Sequence, residues 1–216
     1  MAEDRGAFTA ATGRQLEAAG RDKPRYRRYQ YDLIAPHCGR TILEVGAGLG
    51  EFAEQFDDVD RLVLTDVDPG AVDLMARRFA GRPEVQTRTL ALGVAPELDE
   101  PVASVVAINV LEHIEDDAGA LRSLATAVQP GGSIVLWVPG YQQLYGEFDR
   151  KVGHVRRYTP STLASAVRRA GLDVELVKPV NLLGGIAWWL TVRRGGSTSP
   201  DSKLVAVFDR FVVPGT

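Results

Sequence analysis

Thr41-Ile42-Leu43-Glu44-Val45-Gly46-Ala47-Gly48-Leu49-Gly50 is an apolar strand that passes through one acid and ends in three alternate glycines. Glycine accepts positive φ and leaves no Cβ between the main chain and a ligand, so a bend of this kind is where an open α/β sheet binds nucleotides. The spacing narrows the ligand. A dinucleotide fingerprint has its third glycine where this chain has Glu51, and a pyrophosphate would meet that carboxylate. Glu-x-Gly-x-Gly-x-Gly suits a phosphate-free ligand with a nucleoside end and an amino-acid end.

Outward from this stretch, apolar runs alternate with helix-like segments, the pattern of a doubly wound, mainly parallel sheet flanked by helices. Strands are predicted at 41–45, 61–66, 84–89, 102–108, 132–138 and 173–178, and helices near 50–56, 69–80, 117–128 and 160–170. Asp68-Pro69 and Thr159-Pro160 each set a capping side chain before a proline at the first helical position. Pro130-Gly131-Gly132 reads as the end of one helix and the start of a strand. The Arg- and Tyr-rich stretch 21–34 reads as a separate helix over the nucleotide site, and 195–202 as a polar break.

The chain has 216 residues, 45% of them hydrophobic, enough for one domain with a sizeable core. A net charge of -3 argues against nucleic acid as a partner, because phosphate binding needs a basic face. Cys38 is the single cysteine, which excludes an internal disulfide, and three scattered histidines give no metal-ligand spacing. No metal is expected. The N-terminal residues mix charge, Gly and Ala without an apolar run, which reads as a cytoplasmic protein with no secretory signal or membrane start.

With the residues that follow, the glycine run resembles motif I of the class I S-adenosylmethionine-dependent methyltransferases, over roughly residues 26–212. The resemblance implies a Rossmann-like methyltransferase fold over 1–216, with an N-terminal helical segment at 1–38, a cofactor-binding core at 39–138 and an acceptor-side part at 139–216. It implies S-adenosylmethionine as methyl donor and S-adenosylhomocysteine as product. Gly46, Ala47, Gly48 and Gly50 would let the backbone approach the methionine and ribose. Glu44 would order the loop or reach the amino group through water, and Asp66, ending the second strand, would accept both ribose hydroxyls. Val67 and Leu90 would wall the adenine, whose amino group has no polar side chain to meet in Thr89-Leu90-Ala91. Asn109 and Val110 would line the methionine end. The run Asn109 to Asp117 resembles the post-strand motif of small-molecule methyltransferases, with Glu112 and His113 as secondary catalytic candidates; the competing role is structural, since acidic residues before a helix cap its start and favour its dipole. The fold normally closes with a seventh, antiparallel strand. Lys203 to Phe211 has the pattern of an amphipathic helix instead, so that strand is expected to be missing from this chain.

Val138-Pro139-Gly140-Tyr141, Leu144-Tyr145-Gly146, Asp149, Gly153-His154 and Arg156-Arg157-Tyr158-Thr159, with Asn181, Gly184 and Trp188, resemble a bacterial subfamily of these enzymes carrying an insert after the fifth strand. Acceptor sites are built from such loops. His154 is the candidate general base. Arg156 and Arg157 can grip an anionic acceptor, Tyr141, Tyr145 and Tyr158 can stack on it, and Asp149 completes the set. The competing reading is an internal network in which Asp149, His154 and the arginines hold the loop shut. The expected partner is a small-molecule acceptor, and a homodimer is compatible with the sequence. The apolar run 181–192 is too short to span a bilayer and reads as a lid, or more sharply as a contact for a lipid-linked acceptor. Two other classes stay open: an NAD-dependent oxidoreductase, which Glu51 disfavours, and a non-catalytic S-adenosylmethionine-binding partner subunit.

Overall fold

The computed structural model describes residues 24–91 and 93–180. Helix α1 (Pro24–Ile34) precedes β1 (Thr41–Val45), β2 (Arg61–Asp66), α2 (Pro69–Arg78), β3 (Val85–Thr89), β4 (Val102–Ile108), α3 (Asp117–Ala125), β5 (Val128–Trp137), α4 (Glu147–Val152) and α5 (Pro160–Arg169). The strands form one sheet in the order β3-β2-β1-β4-β5, and all four pairings are parallel. The chain winds from β1 to β3, then crosses back to lay β4 on the other side of β1. That reversal opens a crevice at the carboxyl ends of β1 and β4, where such sheets bind ligands.

Side chains alternate across each strand, so both faces of the sheet need cover. Ile42, Leu62, Leu64 and Val106 face one way and pack with Ile34, Phe52, Phe56, Met75 and Phe79. Leu43, Val45, Val63, Val105 and Ala107 face the other way and pack with Leu124 of α3. The predicted caps hold: Asp68 accepts from Gly70 N at the start of α2, and Thr159 from Thr162 N at the start of α5.

Three expectations are corrected. The helix near 50–56 is a single 3-10 turn, Ala53–Gln55, because Gly50 sits at φ 73 and a right-handed helix cannot run through it. The strand expected at 132–138 starts earlier, at Val128, and Pro130-Gly131-Gly132 is a bulge within it. Val102 pairs with Val128 but Ser104 pairs with Ser133, and Gly131 takes φ 77 to absorb the extra residues. The strand expected at 173–178 is absent among the described residues, where 173–180 have no regular structure. Alternation makes a strand only where a neighbouring edge supplies a ladder; no described strand pairs with this segment, and Leu176 is exposed. The expected closing strand, the 203–211 helix and the 181–192 run lie outside the described residues, and no described helix is long and apolar enough to cross a membrane.

Leu43 is fully buried between β1 and α3. Leu43→Ala should lower the free energy of unfolding by about 2–5 kcal/mol in urea titration, through lost burial plus the cavity left behind.

Candidate cofactor and acceptor site

The bend after β1 is made by Gly46, Gly48 and Gly50 at φ 68, 59 and 73. Each glycine answers a different constraint. A Cβ on Gly46 would lie 2.6 Å from Val110 Cγ2, and one on Gly50 would lie 2.5 Å from Phe79 Cε2. At Gly48 nothing stands within 4 Å, so the main chain there faces open space that a ligand can fill. Ala47 N–H donates to Thr65 O at 2.8 Å and Gly48 N–H to Asp66 Oδ2 at 2.9 Å, which ties the bend to the end of β2. Asp66 Oδ1 also accepts from Asp68 N–H at 3.0 Å. Asp66 is therefore a brace as well as a candidate ribose ligand, and each of its oxygens keeps acceptor capacity for a hydroxyl. Glu51, the residue that argued against a pyrophosphate, pairs with Arg27 at 3.1 Å and draws α1 to the end of the bend.

Glu44 is 3% exposed and its Oε2 has no hydrogen-bond partner among the described residues. Burial pushes its carboxyl up to about 8. On the adenine side, Val67 is 41% exposed and free to wall a ring, while Leu90 donates its N–H to Asp66 O and packs toward the core. Behind it lies a small apolar cavity lined by Val45, Leu90, Ala107, Val110, Ile114 and Leu136. At the end of β4, Asn109 adopts φ 54 and donates its N–H to Trp137 O at 2.8 Å. That left-handed residue turns the chain so that Val110 packs onto the glycine bend.

The insert is built around Asp149, which is fully buried. Its carboxylate accepts from His154 Nδ1, Arg157 Nε and Gly146 N, each at 2.8 Å. Burial alone would raise this group, but those hydrogen bonds outweigh it and hold the carboxyl at about 2. Arg156 bonds Asp117 Oδ2 at 2.9 Å and Glu115 O at 2.7 Å. Tyr158 is 4% exposed and its hydroxyl reaches Asp117 Oδ2 at 3.2 Å. Tyr145 donates to His154 O at 2.7 Å, and Tyr141, at φ 65, donates its N–H to Tyr158 O at 2.7 Å. Most of the acceptor candidates are thus joined in one internal network. Tyr141 stays half-exposed, and Tyr145, also half-buried, lies under Arg150.

Asp117 emerges as a site residue only in three dimensions, and Glu112, already a candidate in the sequence, finds its setting there. Asp117 gathers Arg156, Arg169 and Tyr158. Glu112 is fully buried with both carboxylate oxygens unpartnered among the described residues, and burial pushes it up to about 8. The helix-start role belongs to Asp116, which accepts from Gly119 N–H at 2.8 Å. His113 stacks edge-on against His154 with centroids 4.7 Å apart, and burial followed by the neighbouring His154 lowers its pKa. The signal available in the sequence was an acid left over once Asp116 had capped the helix.

A parallel sheet with a glycine bend at its switch point is an architecture that class I methyltransferases share with dinucleotide enzymes, and comparison with known proteins decides between them. Residues 9–177 match the family described as methyltransferase domain. The chain belongs to that family, whose enzymes use S-adenosylmethionine. It is 31% identical over 178 residues to an S-adenosylmethionine-dependent methyltransferase from Mycolicibacterium smegmatis, covering 80% of this chain and 68% of that one. A ubiquinone biosynthesis O-methyltransferase from Paracidovorax citrulli is 29% identical over 161 residues, covering 66% and 67%. The structure of the N-methyltransferase NodS from Bradyrhizobium japonicum, in complex with S-adenosylhomocysteine, superimposes with a TM-score of 0.56 at 21% identity, over 73% of this chain and 79% of that one.

Two buried carboxyls give opposite pH responses. The Glu44 carboxyl is raised from 4.5 to about 8, so its contribution to stability is full below 4.5 and lost as pH rises through 8. Thermal melts should therefore show Glu44→Gln gaining on wild type between pH 5 and pH 9. The Asp149 carboxyl is lowered from 3.8 to about 2, so its contribution is full above 3.8 and lost as pH falls through 2. Asp149→Asn should cost about 3–5 kcal/mol at neutral pH, where it strips the buried Arg157 of its partner. The deficit should shrink steadily in melts taken below pH 4.

Proposed function

We propose that this protein transfers the methyl group of S-adenosylmethionine to a hydroxyl, amine or carboxylate of a small-molecule acceptor, within one methyltransferase domain. The observation that carries the reading is the open main chain at Gly48, bounded by Asp66 at the end of β2 and by Val110 at the end of β4. The donor's ribose diol lies on Asp66, its adenine between Val67 and Leu90, and its methionine end along Gly46, Ala47 and Asn109. Glu44 reaches the amino group through water. The similarity to the Mycolicibacterium relative supports the same assignment.

A sulfonium methyl is already activated, so transfer is an in-line displacement that depends on alignment and on exclusion of water. The insert 139–159 stands at the carboxyl edge where the methyl would emerge, and Tyr141 and Tyr145 are its residues best placed to stack on an acceptor. The Asp149 network makes this wall rigid. Rigidity serves alignment.

Calorimetry should show binding of S-adenosylmethionine and none of NAD, and a methyl-transfer screen over alcohols, amines and acids should then identify the acceptor class. Binding without turnover on any acceptor would favour the partner-subunit reading; binding of NAD alone would end the methyltransferase assignment. Asp66→Ala should weaken S-adenosylmethionine by about 10–100-fold, the loss of hydrogen bonds to a charged group. A thermal melt on the same sample checks that the bend survives.

A further inference from the structure

The geometry points to a divalent transition-metal site held by Glu112 with His113 and His154, between the turn after β4 and the insert. One donor atom from each of the three residues lies within 4.8 Å of the others. The two histidines are set up as ligands by what their other nitrogens touch. His154 Nδ1 is 2.8 Å from Asp149 Oδ1, an ionised acceptor, so Nδ1 carries the proton and Nε2 carries the lone pair. His113 Nδ1 lies 3.3 Å from Gly153 O, and a carbonyl can only accept, so its Nε2 is likewise unprotonated. Metal-binding histidines have this arrangement, with the outer nitrogen held by a carboxylate or a carbonyl.

Glu112 supplies the third group and the charge. It is fully buried, neither of its oxygens is hydrogen-bonded among the described residues, and Oε1 faces His154 Nε2 at 3.7 Å. That separation is too long for a hydrogen bond. It fits an ion between the two atoms, since bonds of about 2.1 Å on each side span up to about 4.2 Å. Val155 N–H donates to Glu112 O at 2.8 Å and pins the insert to the turn, so the ligands from two distant segments keep their spacing. The Arg157 guanidinium bonds Asp149 through Nε and also lends Glu112 some of its positive charge, without hydrogen-bonding either of its oxygens among the described residues. Two imidazoles and a carboxylate suit zinc, cobalt, manganese or iron, and are poor for magnesium.

The role of the ion rests on the methyltransferase reading, whereas its binding does not. Three protein ligands leave a coordination position for an acceptor hydroxyl, whose proton is lost to solvent at lower pH when so bound. The oxygen then forms its bond to the methyl carbon as the carbon–sulfur bond breaks, and S-adenosylhomocysteine leaves. His154 is a ligand in this scheme; the ion acts as a Lewis acid that makes the bound hydroxyl more acidic, and solvent takes the proton.

The test strips the full chain with EDTA and titrates it with Co(II) and Zn(II) by calorimetry, reading the visible spectrum of the Co(II) form. One equivalent of each should bind, and Mg(II) should bind far more weakly. Glu112→Gln, which keeps the side-chain shape, and His113→Asn should each weaken Co(II) by at least about 100-fold, and Asp149→Asn, acting through His154, by about 10–100-fold, with circular dichroism retained. Should Glu112→Gln fail to fold, the partly exposed His113→Asn decides. No Co(II) binding by wild type, binding unchanged in the folded variants, or Mg(II) binding as tight as Co(II) would overturn the site. S-adenosylmethionine titrated in parallel keeps the readings apart: Co(II) bound with no S-adenosylmethionine bound would sink the cofactor assignment and leave the metal site standing.

Discussion

The carboxyl edge of this sheet is organised by a backbone constraint: three alternate residues after β1 sit at positive φ, a region that residues with a Cβ enter only at a cost. The bend lets the chain double back far enough for Ala47 and Gly48 to donate to the end of β2. Two of the glycines are also packing residues, since Val110 and Phe79 occupy the space their side chains would need. The same short turn therefore fixes β1 against β2, seats the start of the β4 turn, and leaves one stretch of main chain open. Asp66 belongs to that construction. It holds the bend in place with one oxygen and the entry to α2 with the other, so the carboxylate is already oriented before any ribose arrives.

What could be read in the sequence follows from how local each feature is. β1, β2 and β4 run over the residues that alternation and apolar content mark out, because each is buried by neighbours on both sides. The caps at Asp68 and Thr159 were legible for the same reason, being contacts within one turn. Where the reading failed, a distant partner decided. The segment 173–178 pairs with no described strand, and Pro130-Gly131-Gly132, which looks like a break, is carried as a bulge because β4 continues to bond on both sides of it. The site divides likewise. Its cofactor half is assembled from residues close to strand ends and follows from the strand assignment. Its other half depends on Glu112 meeting His154 and on Asp117 meeting Arg156, Arg169 and Tyr158, contacts between segments that no spacing in the sequence connects.

Asp149 and Glu112 show how the same side-chain chemistry is given opposite states a few ångströms apart. Both are fully buried, and burial disfavours the charge of each. Asp149 receives three donors, two of them from side chains that carry or can carry positive charge, and stays ionised. Glu112 has no well-formed hydrogen bond to either oxygen among the described residues, and burial outweighs its own backbone N–H and the nearby Arg157 charge and pushes it toward its neutral form. A buried carboxylate without a partner is an expense that a fold normally removes by substitution or by a hydrogen bond.

His154 connects the two groups. The ionised Asp149 takes the Nδ1 proton, which leaves a lone pair on Nε2 directed at the unpartnered acid. A lone pair facing a carboxylate oxygen at 3.7 Å is mildly repulsive, and a second imidazole stands edge-on to the first. All three groups are donors of electron pairs and none can satisfy another without a proton or a cation. Protonation of Glu112 would relieve the contact with His154, though the oxygen would have to close by more than half an ångström to make a hydrogen bond. A cation would relieve all three at once, with Glu112 and His154 already at a bridging distance and His113 closing in to complete the set. The rigid Asp149 network, which looks at first like simple reinforcement of a loop, is also what keeps His154 from turning its protonated nitrogen toward Glu112 and ending the frustration in the cheaper way.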